Sequence, residues 1–103
     1  MENELNFEVI DNTGFDAEVI RFYLEDEHFH EIKTFLENED YAMAKDATKG
    51  LYLLAMELRL FKLYETLLDI YEDLEAEFYN DVLGHYDEMY QEYLKLKEVY
   101  VNV

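Results

Sequence analysis

The residues able to do chemistry in this 103-residue chain are three histidines, eight bases and twenty-six acids. Cysteine is absent, which excludes a disulfide framework, a thiolate metal site and a cysteine nucleophile. Serine does not occur either, and no glycine-rich phosphate loop is present, so serine hydrolases and nucleotide-binding enzymes have no starting residues. Glu27-His28-Phe29-His30 contains the Glu-x-x-His step of di-iron and di-manganese bundles. A complete site of that kind needs a second copy on another helix, and His85 has Val82, not an acid, three residues before it. His28 and His30 also point to different sides of a helix. Solvated residues beside Phe29 are therefore expected, and neither a metal nor any other cofactor is. The acid pairs Glu72-Asp73, Glu75-Glu77 and Asp87-Glu88 lie outside the apolar stripes, whereas acid–base catalysis needs one carboxylate of a pair desolvated. They are expected on a solvated face. The bases are more distinctive, because Lys45, Lys49, Tyr52 and Met56 follow one another at steps of four, three and four, which puts them on one face of one helix.

Periodicity supplies the elements that carry these residues. Residues 1–14 lack a clear period, apart from Phe7, Val9 and Ile10, and are expected to form an N-terminal arm ahead of a single domain over 15–103. Thr13-Gly14-Phe15-Asp16 predicts a turn and cap for a short helix bearing Phe15, Val19, Phe22 and Tyr23. A second short helix starts near Asp26 with Phe29, Ile32, Phe35 and Leu36 on its stripe. Asn38-Glu39-Asp40 breaks the pattern, and Asp40 caps a helix with Tyr41, Ala44, Ala47, Leu51, Leu54 and Leu58 inward. Leu60, Leu63, Leu67, Ile70, Leu74 and Phe78 form the next stripe, although no Gly or Pro precedes it. Asn80-Asp81 then predicts a break and cap before Val82, Tyr86, Met89, Tyr93, Leu96 and Tyr100. Three longer amphipathic helices behind a shorter pair give an all-α, antiparallel up-down bundle.

Half of the residues are apolar, Pro is absent and only three are Gly, a composition for a packed helical core. The acidic residues at the start lack a basic n-region, so a secretory signal is not expected there. The longest apolar run, Leu51 to Met56, is far short of the roughly twenty residues of a membrane span. A cytoplasmic protein is expected. The net charge of −18 repels nucleic-acid phosphate and anionic lipid and favours basic partners. Ten tyrosines are expected mostly at the edge of the core, with a strip of Tyr79, Tyr86, Tyr90 and Tyr93 as a face able to join two copies. Monomer and homodimer both remain open.

The segment LEDEHFHEIKTFLENEDYAMAKDATKGLYLLAMELRLFKLYE, residues 24–65, resembles histidine-containing phosphotransfer (HPt) domains, the small helical carriers of bacterial phosphorelays. The resemblance rests on Asp40-Tyr41 at a helix start, Ala44 as the small core residue and Leu63-Tyr64 as a later leucine–aromatic pair. It implies an HPt-like four-helix bundle with a short N-terminal helix. In the family a histidine is followed three residues later by a lysine and then directly by a glycine. The gap-free register puts Lys49, Tyr52 and Leu53 at those places; it preserves the core positions on both sides and is preferred. The alternative makes Lys49-Gly50 the lysine–glycine pair and places Asp46 at the histidine, with one extra helical turn before Leu63. Neither register supplies a neutral imidazole, and a protonated lysine has no lone pair for attack on a phosphoryl group. The resemblance thus implies a non-catalytic interaction module, not an enzyme. Its face of Lys45, Lys49, Tyr52 and Met56 is expected to meet a protein partner such as the acidic pocket of a receiver domain, or to compete with a true carrier in two-component signalling. The other expectation for that face is a solvated surface on an acidic structural or regulatory bundle unrelated to phosphorelay.

Overall fold

The computed structural model describes residues 17–101. Five helices occur among them: α1 (Ala17–Leu24), α2 (His28–Glu37), α3 (Tyr41–Glu57), α4 (Phe61–Ala76) and α5 (Tyr79–Tyr100). The expected arm over 1–14 and the cap at Thr13–Asp16 lie outside the described residues. Ala44, Thr48, Leu51 and Ala55 on α3, Leu63, Leu67, Ile70 and Leu74 on α4, and Val82, Tyr86, Met89 and Tyr93 on α5 are buried at steps of three and four. Those stripes build one core, in which α2, α3, α4 and α5 pack in sequence and α5 closes back on α1 and α2. Tyr41 and Tyr79, the first residues of α3 and α5, stack with ring centroids 3.8 Å apart and planes 3° apart. Two helices separated by a third therefore begin at the same end, and the chain runs up and down as expected.

The three links that follow α2, α3 and α4 share one construction. Each helix ends on a left-handed residue, Glu39 (φ 60°), Arg59 (φ 63°) or Glu77 (φ 62°). Around each one a pair of backbone bonds closes a Schellman turn. The Asp40, Leu60 and Phe78 N–H groups donate to the carbonyls of Phe35, Ala55 and Asp73 at 2.8, 2.9 and 2.8 Å. The N–H groups of the left-handed residues donate to Leu36, Met56 and Leu74. Glycine normally occupies this conformation, because a Cβ there crowds the following carbonyl. Here no glycine does. Asp40 caps α3 as expected, accepting from the Met43 N–H at 3.4 Å.

Buried tyrosines attach the short front pair to the rest. Tyr93 donates its hydroxyl to the Leu24 carbonyl at 2.8 Å, supplying a partner at the α1 C-terminus. Tyr86 donates to Phe29 at 2.8 Å, and Tyr23 to Leu51 at 2.6 Å. Phe29 fills the space among them, stacked on Tyr93 at 4.4 Å and edge-on to Tyr23 at 5.3 Å. Burial raises the hydroxyl pKa of all three; Tyr86 and Tyr93 are pushed up to about 12.

Five expectations need correction. Of the apolar residues expected on α1, Phe22 is 80% exposed; Ile20 and Leu24 join Tyr23 in the core. Leu54, expected inward on α3, is 48% exposed because the buried arc runs through Ala44, Thr48, Leu51 and Ala55. Phe78 is not the end of the α4 stripe but part of the link, and is 60% exposed. The break expected at Asn80-Asp81 falls instead at Glu77-Phe78, since the left-handed Glu77 ends α4 and α5 begins at Tyr79. Tyr86 and Tyr93 are buried, so the expected outer tyrosine strip is not a continuous surface.

Candidate functional site

Helix α3 carries two different flanks. On the side facing α4 lie the four residues singled out by their spacing. Lys45 is committed within the molecule: its Nζ is 3.0 Å from Glu75 Oε2 on α4. Tyr71 donates its hydroxyl to the same Glu75 oxygen at 3.3 Å. The hydrogen bond and charge of Lys45 hold the Glu75 carboxyl below the usual carboxylate range, and Glu75 raises Lys45 in return. Tyr52 is half-buried, edge-on to Tyr64 at 5.8 Å and to Tyr71 at 5.4 Å. Lys49 and Met56 are exposed. The expected face thus exists as one strip, but half of it is occupied by the α3–α4 seam.

Leu54, nine residues beyond Lys45, lies about half a turn away around α3. On that opposite flank α1, the α1–α2 link and α3 enclose an apolar groove of 660 Å³ floored by Tyr23, Leu54 and Leu58, with Phe22 at its edge. Glu25, Asp26, Glu27 and His28 form its polar rim. A smaller depression of 210 Å³ shares Asp26, His28 and Leu54 with it and continues along α3 over Leu51, Gly50, Ala47 and Asp46. The two form one trough, apolar below and acidic at the margin. Asp26 is held in place there: its Oδ1 accepts from the His28 backbone N–H at 2.8 Å and lies 2.7 Å from His28 Nδ1.

Gly50 sits in this trough in the middle of α3. A Cβ built on it would meet nothing within 4 Å, so internal packing does not require glycine there. The position exposes bare helix backbone to whatever approaches the trough. Asp46, the alternative histidine position, is exposed one helical turn before it.

The histidines separate into three environments. His28 is paired with Asp26 and lies 3.7 Å from Glu31. His30 is edge-on to Tyr90 and Tyr93 at 5.8 and 5.7 Å, against aromatic rings. His85 makes a short hydrogen bond through Nδ1 to Asp73 Oδ2, across the α4–α5 interface. That bond is the main cause of its raised pKa; burial opposes it, and the charges of Asp73, Asp69 and Glu88 add to it.

The trough is hidden in the sequence because Leu54 falls on the apolar period of α3 and yet is exposed. The signal was the crowding of α3: Leu51, Leu53, Leu54 and Met56 cover more than one buried arc holds. The His85–Asp73 contact joins two helices, so no Glu-x-x-His step within one helix signals it. Among the described residues no helix is long and apolar enough to cross a membrane. Compared with family models, curated proteins and solved structures, the chain matches none of them.

Proposed function

We propose that this chain is a non-catalytic interaction module that binds a basic amphipathic segment of a partner protein in the α1–α3 trough. The observation that carries the reading is the exposed apolar surface of Leu54 and Phe22 in the groove, beside an acidic rim. An amphipathic helix laid into such a groove buries its apolar face on the floor and presents lysine or arginine to the rim. The net charge of −18 steers a basic partner towards the molecule and disfavours nucleic acid. Gly50 removes a side chain where the partner would come closest.

Docking of a receiver domain through Lys49 is the second reading. It is favoured by one observation, that Lys49 and Met56 remain exposed on the other flank of α3. It draws on the HPt resemblance and on the helical-bundle architecture that such a domain requires. Competition with a true phosphotransfer protein belongs to this reading.

Chemical-shift mapping on the ¹⁵N-labelled chain separates the two. One titration uses a basic amphipathic helical peptide and the other a receiver domain. The trough reading expects the peptide to move Asp26, His28, Gly50 and Leu54 while Lys49 and Met56 stay in place. Saturable shifts centred on Lys49 with the receiver, and none in the trough with the peptide, would replace the first reading with the second.

A further inference from the structure

We infer that Asp69, His85 and Glu88 form a binding site for a first-row divalent transition ion of the Zn²⁺ class, built across the α4–α5 interface. A carboxylate oxygen of Asp69, one of Glu88 and a ring nitrogen of His85 all lie within 4.8 Å of one another. Asp69 and Glu88 are exposed, so rotation of their side chains suffices to close the set to metal–ligand distances of about 2.0–2.2 Å.

The independent observation concerns the imidazole. Asp73 is not one of the three ligands; it lies one helical turn after Asp69 on α4, its side chain only 12% exposed, and engages His85 Nδ1. A histidine that donates Nδ1–H to a buried carboxylate presents the Nε2 lone pair in a fixed direction. This is the outer-shell arrangement found behind metal-binding histidines, where the carboxylate sets the tautomer and raises the basicity of the ligating nitrogen. The spacing is economical: Asp69 and Asp73 are four apart on α4, and His85 and Glu88 three apart on α5, so each pair shares a helix face. An imidazole with two carboxylates suits Zn²⁺ and its neighbours better than Mg²⁺ or Ca²⁺, which prefer all-oxygen shells. Three protein ligands leave the remaining position to water.

Titrating Zn²⁺ into the metal-free full chain, with Mg²⁺ in excess, tests the site. One equivalent should bind, shifting the His85 Nε2 resonance while His28 and His30 stay unchanged. His85→Gln should abolish that binding. Asp73→Asn, with helicity retained, should weaken it by about 10- to 100-fold, the effect typical of a lost outer-shell partner. Because Asp73 is buried, Asp69→Asn and Glu88→Gln provide exposed variants whose folding is not in question, and each should lower affinity by at least about tenfold. Equal Zn²⁺ affinity in His85→Gln, or complete displacement by Mg²⁺, would reveal mere attraction to an acidic surface and overturn the inference.

Discussion

Both glycines among the described residues stand inside helices, and replacing them with alanine gives a two-part prediction. In a helix interior glycine is less stable than alanine by about 0.5–1 kcal/mol, because it loses more backbone freedom on folding. At Gly50 and at Gly84 a new Cβ meets no atom within 4 Å, so no steric cost opposes that gain. Gly50→Ala and Gly84→Ala should each stabilise the fold by about 0.5–1 kcal/mol, and the double variant by roughly the sum, since the sites are on different helices without a shared partner. A change of 1 kcal/mol moves the melting temperature of a domain this size by about 4–8 °C. Thermal and urea melts followed by circular dichroism read it directly. The second part concerns binding. A methyl at Gly50 enters the trough, whereas Gly84 lines neither depression. Gly50→Ala should therefore weaken the basic peptide even as it stabilises the protein, and Gly84→Ala should stabilise it alone. Destabilisation by both variants would refute the helical placement; equal peptide affinity in both would refute the close approach at Gly50.

Three more outcomes follow from the turns and the tyrosines. Arg59→Gly relieves a left-handed strain of about 1–2 kcal/mol at the cost of about 0.5–1 kcal/mol of extra unfolded-chain freedom, so the urea midpoint should rise with an unchanged m-value; a lower midpoint would argue against the left-handed turn. Tyr93→Phe removes the donor to the Leu24 carbonyl and should cost about 1–3 kcal/mol, with faster amide exchange in α1 than in α4. The raised pKa of Tyr86 and Tyr93 fixes a pH window. Their hydroxyls keep the proton in the folded state up to about 12 but lose it near 10 when unfolded. Their contribution is fully present below pH 10 and is lost as pH rises towards 12. Phenolate absorbance should show a late class that appears together with loss of helix; complete ionisation without that late class, with helicity intact, would contradict the buried hydroxyls.

The helices were legible in the sequence wherever apolar residues kept a period of three and four. The stripes of α4 and α5 were read almost residue by residue, and Asp40 was identified as a cap from its position alone. The links were harder, because the usual punctuation is displaced. Glu39, Arg59 and Glu77 adopt the conformation that glycine would mark, while Gly50 and Gly84 sit where glycine signals nothing about a turn. Phe78 therefore looked like a continuation of α4, and the α5 start was placed too late. The face around Lys49 followed from spacing on one helix. The trough and the Asp69–His85–Glu88 set needed two helices at known relative positions, which periodicity within one segment does not provide. At Phe22 the periodicity misleads: the ring is exposed, and Ile20, which the expected set does not contain, is buried.

The central claim is that the trough floor, and not acidity in general, holds the partner. Calorimetric titration of the full chain and of Leu54→Asp with a basic amphipathic helical peptide at physiological ionic strength tests it most directly. Burying a leucine contributes about 1.5–3 kcal/mol, so the substitution should weaken binding by roughly tenfold or more although it adds a charge attractive to the peptide. Leu94→Asp, at an exposed apolar position outside the trough, should leave affinity unchanged or slightly raised. Equal or tighter binding by Leu54→Asp would mean that charge alone attracts the peptide, and would contradict the account.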